Sequence, residues 1–406
     1  MKFNFNIDSF IQNHVTFRKE SILKQDFEQN YNLLSNRINN KSVLVIGGAG
    51  TIGSSYIKAI VKFDIKKLVV IDINENRLTK LIQDIDSLKG QFAPFEFITY
   101  PVNFGDRVFE KLFRQHGPFD IVANFASHTH VRSEKDIFSI EAMIENNVLN
   151  VSKLLDLLLE FPPEHFFSVS TDKAANPASI MGASKKLMEE LITAYSVKLP
   201  ITTARLGNVA FSNGSILQGF IEHMNKNQPW ACPVGIRRFF MSSQESGELC
   251  LMASIMGEPG DIFYPKLDNE KDMIAYELIA LDLFYELGYE PDICQSEEEA
   301  KQKALALTPN SRKYPIYFFI SNTSGEKTFA ELFTEKEILD NNSFINLGVI
   351  KNSTKRSITE VNEILSNLEA LFKKETISKA EIVEVLKVYL PNFVHIETGK
   401  GLDSKM

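Results

Sequence analysis

From Lys41 to Leu206 the chain alternates between short apolar runs and longer stretches whose apolar residues recur at helical spacing. The runs are "SVLVIGG", "KLVVID", "FEFITYPV", "FDIVANFA", "HFFSVS" and "ITTARL", separated by patterns such as "VLNVSKLLDLLLEF". Short apolar runs bounded by polar turns read as strands, and strands alternating with amphipathic helices predict a parallel sheet covered on both faces. The expected fold class is α/β: a Rossmann-like doubly wound parallel sheet with a smaller C-terminal substrate-binding region.

The flanks read differently. Within residues 1–40, Ile11, Leu23, Phe27, Tyr31, Leu33 and Leu34 recur at roughly helical intervals in a polar background, which predicts a helical arm packed on the main domain. After Gly207 the regularity weakens into shorter elements punctuated by Gly and Pro. There, "SEEEAKQKALALTPNSRK" reads as a charged, exposed helical insertion. The tail carries helical patterns in "SITEVNEILSNLEALFKK" and "SKAEIVEVLKVYL". The expected organisation is an arm at 1–40, a dinucleotide-binding domain at 41–210, a substrate-binding region at 211–345 and a helical tail at 346–406.

Composition narrows the function classes. The 406 residues are 44% hydrophobic, ample for a large core, and 52 acidic against 44 basic residues leave a net charge of −8. That balance argues against nucleic acid as a partner. Three widely spaced cysteines form no CxxC pair, so neither a zinc site nor a disulfide framework is expected, and the setting reads as reducing and cytoplasmic. The start lacks the apolar core of a signal peptide, and no run approaches the ~18 apolar residues of a membrane span.

Chemistry enters with "VLVIGGAGTIGSSYIKAI", a strand, a glycine loop and a helix start. Gly47, Gly50 and Gly53 permit a tight turn, close approach to a pyrophosphate and close helix packing. The next strand ends in Asp72, 19 residues beyond Gly53, where a carboxylate accepts ribose hydroxyls and repels a 2′-phosphate. NAD is therefore expected over NADP, although Arg77 lies a turn further on and Asp72 could instead cap the following helix. Downstream, Ser170, Thr171, Asp172 and Lys173 follow directly on a strand, at the sheet edge where doubly wound folds bind ligands. Met181 and Lys185 share one face of the next helix at i, i+4. His128 and His130 form an H-x-H pair with no third ligand nearby, so no metal is expected.

The segment "STDKAANPASIMGASKK" resembles the S-T-D-K-A-x-x-P-x-x-x-M/Y-G-x-S/T-K stretch of nucleotide-sugar 4,6-dehydratases. These belong to the extended short-chain dehydrogenase/reductase superfamily, in the branch that acts on UDP-N-acetylglucosamine for surface polysaccharides and glycans. "GGAGTIG", "NFASHTHV", "NNVLNV", "ARLGNVAFSNGS", "IRRFFMS" and "SGEKTFAELF" are similar to further motifs of that family in the same order, over about residues 20–340. The resemblance implies a tightly bound NAD, regenerated in each cycle, and a nucleotide-sugar substrate. The cofactor set it implies is Gly47, Gly50, Thr51, Ile52, Gly53, Asp72, Asn103, Ala126, Asn147 and Lys185; the substrate set is His130, Arg205, Asn208 and Arg238.

The resemblance also assigns roles. Lys173 would take the C5 proton, Asp172 would protonate the departing C6 hydroxyl, and Lys185 would bind the nicotinamide ribose. Met181 stands where relatives often carry a catalytic tyrosine, and some members share the methionine. A thioether cannot pass a proton, so the 4-hydroxyl proton is expected to go to the Asp172 carboxylate or to a water held by Thr171 and Asp172, with Met181 an apolar wall against nicotinamide or sugar. Three positions depart from the family: Thr129 in place of a lysine, Asn103 in place of an adenine-contacting Asp, and Thr323 in place of an arginine. The same reaction with C5 epimerisation, another nucleotide sugar, or a silent NAD-binding scaffold stay open; a simple 4-epimerase leaves Asp172 and Lys173 without a role. Sheet enzymes of this kind commonly pair through helices, so a homo-oligomer is expected.

Overall fold

Six consecutive parallel strands carry the predicted runs: β1 (Ser42–Ile46), β2 (Lys67–Ile71), β3 (Glu96–Tyr100), β4 (Ile121–Asn124), β5 (His165–Thr171) and β6 (Ile201–Leu206). This computed structural model describes residues 5–397 except 89, 92, 130–133, 135, 322, 323, 326, 328 and 352–355. Three later strands, Ile262–Pro265, Leu347–Lys351 and Ile338–Asp340, extend the sheet beyond β6. Ile262–Pro265 joins β6 in parallel, and the last two add antiparallel. The other edge runs β5, β4, β1, β2, β3.

Alternate residues of a strand face opposite sides of its sheet. Val43 and Val45 accordingly enter one apolar cluster, with Ile57, Ile60 and Leu251, whereas Leu44 and Ile46 enter another, with Phe113, Leu155 and Leu191. Both faces of the strand are dry, which is why the runs are apolar throughout rather than alternating. The chain winds outward through β1, β2 and β3, then returns to place β4 on the other side of β1. That reversal opens a crevice at the carboxyl ends of β1 and β4, the place where doubly wound sheets bind ligands.

A smaller region holds a three-stranded parallel sheet of Glu290–Cys294, Lys313–Ile320 and Trp230–Val234. Its core gathers Trp230, Phe284 and Tyr314. The charged segment expected to be an insertion is helical at Glu297–Leu305, but it buries Ala300 and Ala304 and joins two parallel strands. It is a crossover, because parallel neighbours need one.

The N-terminal arm divides its packing. Phe10, Ile11 and Val15 enter the smaller core, whereas Leu23, Leu34 and Ile38 enter the main one. At the joint, Arg18 donates to Glu245 at 2.7 and 3.0 Å and to the Phe240 carbonyl at 2.9 Å. The tail helices Ile358–Phe372 and Lys379–Tyr389 each begin with a capping box, Ser357 with Glu360 and Ser378 with Glu381. Ile358–Phe372 lies on the helix that follows β5, and Lys379–Tyr389 packs against Ile358–Phe372 in the same apolar cluster. Among the described residues no helix is long and apolar enough to cross a membrane.

Candidate functional site

The glycine loop sits at the β1 end of the crevice. Gly47 adopts φ +72°, and a Cβ there would stand 2.5 Å from the Ala126 nitrogen; a Cβ on Gly53 would stand 2.4 Å from the Gly47 carbonyl oxygen. Both glycines are thus demanded by the protein's own packing. Gly50 is not: its Cβ would meet only the Gly47 oxygen, at 3.4 Å. The helix Thr51–Ile60 follows with no side chain capping it, so its first N–H groups and positive dipole end stay available to an anion.

Of the expected cofactor residues, Gly47, Gly50, Thr51, Ile52, Gly53 and Lys185 line one cavity, and the polar groups of the set are used in different ways. Asp72 accepts from the Ala49 and Asn74 nitrogens, at 3.0 and 2.9 Å. Asn74, not Asp72, caps the next helix. Asn103 accepts from the Gly105 nitrogen at 2.9 Å, and the Thr51 hydroxyl accepts from Asn213. Ile52 lines the cavity. Asn147 is buried, and its amide holds both the nitrogen and the carbonyl of His128 as well as the Ser184 hydroxyl. Its visible work is to pin the loop after β4 to the helix after β5.

A cavity of about 510 Å³ runs from the glycine loop past the end of β5 to the smaller region. Ser179 caps the helix Ile180–Tyr195, so the chain between β5 and this helix is a short turn that holds Asp172 and Lys173 at the cavity wall. Asp172 Oδ1 accepts from the Thr171 hydroxyl at 2.8 Å and from Lys173 Nζ at 3.0 Å. Burial alone would raise the Asp172 pKa, but the Lys173 charge, the hydroxyl and ammonium hydrogen bonds and the Arg238 charge outweigh it and hold the carboxyl below its ordinary range. Asp172 is therefore ionised when no ligand adds to these contacts.

Lys185 also lines the cavity, but its Nζ donates to the Val169 carbonyl at 2.7 Å. Burial brings its pKa down to about 7, against the opposing pull of Glu189.

Two expectations are corrected. Met181 does not form a wall of the cavity. It is 1% exposed, packs with Ile140, Ile144 and Leu368, and its nitrogen donates to Glu134. Its helix turns that side of the i, i+4 pair into an apolar cluster. Nor does Arg205 reach substrate space. It is fully buried, and its five donors go to Glu189, Glu337 and the Leu332 carbonyl. An arginine inside a strand dry on both faces has to find carboxylates in the protein.

Of the residues expected to meet substrate, Arg238 is 6% exposed and lines the cavity, where Nη2 donates to the Lys327 carbonyl. Its neighbour Arg237 projects the other way, onto the Glu270 and Met273 carbonyls, as strand alternation requires. Asn208 accepts from Lys173 Nζ at 3.4 Å and donates to the Tyr276 hydroxyl at 3.0 Å. Thr129 lines the cavity; His130 and Thr323 lie outside the described residues. Two participants were missed by sequence reasoning. Glu189 had a signal, standing i+4 from Lys185 on one helix face. Tyr276 had none, since its approach to Asn208 spans 68 residues.

Comparison with solved structures gives the fold. A structure of Pen from Bacillus thuringiensis superposes with a TM-score of 0.63 at 20% identity, covering 87% of this chain and 98% of that one. Among curated relatives, an uncharacterized membrane protein of Methanocaldococcus jannaschii is 31% identical over 75% of this chain and 84% of its own. The capsular polysaccharide biosynthesis protein CapD of Staphylococcus aureus is 27% identical over 89% of this chain, which spans only 56% of that relative's length. A UDP-glucose 4-epimerase of Rickettsia bellii is 26% identical over 81% of this chain and 96% of its own. The family described as polysaccharide biosynthesis protein matches residues 43–351, so this Rossmann-like chain belongs to that family.

Proposed function

We propose that the chain is an NAD-dependent 4,6-dehydratase of a UDP-N-acetylhexosamine, UDP-N-acetylglucosamine foremost. The observation that carries this reading is the ionised Asp172 beside Lys173, on the wall of a cavity that also reaches the glycine loop and Arg238. NAD suits the residues present: a bare glycine edge at Gly50, an uncapped helix start, and the Asp72 carboxylate. Those groups would hold the pyrophosphate and a ribose. When bound, NAD supplies a reversible hydride store.

The chain's own residues then manage three protons. Asp172, as carboxylate, accepts the proton of the sugar 4-hydroxyl, the task that Met181 cannot perform. Lys173, the ammonium partner of Asp172 at rest, first releases a proton to solvent when substrate enters, and as the amine takes the C5 proton, acidic once C4 is a ketone. Asp172 next gives its proton to the C6 hydroxyl, which leaves as water, and Lys173 returns its own to C5. The chemistry ends with Asp172 as carboxylate and Lys173 as amine, and Lys173 regains its proton from solvent as product leaves, so the cycle closes without a phenol. Arg238 pairs with the diphosphate.

A second reading, 4-epimerisation, draws support from the UDP-glucose 4-epimerase relatives. Incubation with UDP-N-acetylglucosamine in heavy water, without added cofactor, separates the two. Dehydration predicts loss of water and one solvent deuterium at C5, with the C5 configuration separating retention from inversion. Inversion at C4 with no loss of water supports the epimerase. No dehydration of any UDP-N-acetylhexosamine, even with added NAD⁺, would overturn the proposal.

A further inference from the structure

Lys173 Nζ stands between two oxygens, Asp172 Oδ1 at 3.0 Å and Asn208 Oδ1 at 3.4 Å. An ammonium only donates, so the end of the Asn208 amide that faces it has to be the carbonyl. The amide nitrogen is thereby turned the other way, where it donates to the Tyr276 hydroxyl at 3.0 Å. A phenol oxygen can accept that bond; a phenylalanine edge cannot.

We propose that Tyr276 is a positioning residue for Lys173. Its phenol oxygen holds the Asn208 amide in the one orientation that offers Lys173 a second oxygen, and so keeps the amine from closing wholly onto Asp172. The proposal deepens the reading of Lys173 as the C5 base and rests on it for its catalytic consequence.

The mount of the phenol is rigid. Tyr276 is 8% exposed, lines the same cavity and meets Phe240 edge-on at 5.7 Å. It opens the helix Tyr276–Glu286, whose Ile279, Leu283 and Phe284 lie in the smaller core. The Phe240 carbonyl is in turn held by Arg18 of the N-terminal arm. Without the phenol oxygen, the Asn208 nitrogen loses its acceptor in a half-buried place. The amide can then rotate its NH₂ toward Lys173, where donor faces donor, and the attraction of Asp172 acts on the lysine unopposed.

The test is Tyr276→Phe in the full chain, which keeps the ring and removes only the oxygen. Losing one such hydrogen bond is expected to lower kcat about tenfold and to move KM by less than about twofold. Independently of turnover, acylation of Lys173 by an amine reagent, followed by peptide mass spectrometry, is expected to slow about threefold or more as the amine closes on Asp172. In an Asn208→Asp background both ends of the side chain accept, so no orientation is left to lose and adding Tyr276→Phe should change neither readout.

Equal Lys173 acylation in wild type and Tyr276→Phe would overturn the proposal, as would an undiminished Tyr276→Phe effect in Asn208→Asp. If Tyr276→Phe does not fold, Asn208→Leu removes the same oxygen from Lys173 and should slow acylation likewise; an unchanged rate overturns the proposal. Because acylation needs no substrate, a wild-type protein that fails to dehydrate would count against the proposed function alone.

Discussion

Ser170 and Thr171, adjacent at the end of β5, open onto two polar networks built from similar groups. On one side Ser170 donates to Glu189, which takes two bonds from Arg205, and Arg205 spends its remaining donors on Glu337 and a carbonyl. On the other, Thr171 and Lys173 both bond the same oxygen of Asp172, and Lys173 reaches on to Asn208. The first network is largely buried and saturated, touching the cavity only at Ser170; the second faces the cavity with Asp172 and Lys173. A saturated ion network holds the fold together but has no proton to trade. A carboxylate with an oxygen to spare at a cavity wall can accept one.

The largest effect that would break this contrast is on activity. Asp172→Asn keeps the shape but removes the proton acceptor, and is expected to lower dehydration by about 10²–10⁴-fold, while losing less stability in urea unfolding than Arg205→Met does. A variant with normal turnover would move Asp172 to the structural side of the comparison.

Next comes stability. Arg205→Met strips the buried Glu189 of its guanidinium partner, leaving it Ser170 and Lys186 alone, and removes the same partner from Glu337, and should cost about 3–5 kcal/mol in urea unfolding. The pH dependence sharpens the point. Burial alone would raise the Glu189 pKa, but Arg205, Lys186 and Ser170 hold it down to about 2, below its ordinary 4.5. Its contribution is therefore fully present above 4.5 and lost as pH falls toward 2, and the Arg205→Met protein should show a much smaller acid limb, with only Lys186 and Ser170 left to lower the pKa.

A smaller effect tests Met181. Placing a phenol in its closed apolar cluster by Met181→Tyr should overfill the site and cost about 1–3 kcal/mol, with no gain in turnover. Improved catalysis would mean that the side chain does reach the reacting groups.

The smallest effect concerns Lys185, whose ammonium is disfavoured by burial. The folded chain binds fewer protons there than the unfolded chain between about 7 and 10.5, so stability rises with pH across that window and the cost is complete below 7. Lys185→Met should therefore stabilise by on the order of 1 kcal/mol at pH 6, an advantage that shrinks by pH 10 in parallel urea titrations.

Local pattern carried much of this site. The strands of the sheet, the glycine loop, Asp72 and the run from Thr171 to Lys173 are contiguous in sequence, and each depends on backbone periodicity or on a turn only a few residues long. Side-chain identity and spacing are enough for such features, because a helix or strand assigns neighbours to faces by its own geometry. Which face is buried, and against what, is not local. Arg205 reads as a substrate contact until the strand beside it and Glu337, 132 residues away, close over it. Met181 reads as a cavity wall until the tail helix of Ile364 and Leu368 covers its cluster. The Asn208 and Tyr276 contact joins two elements that no periodicity links. Chain pattern thus determined which groups stand at the crevice edge; long-range packing decided which of them are sealed and which stay open, because burial and hydrogen-bond saturation are properties of the closed structure rather than of any segment in it.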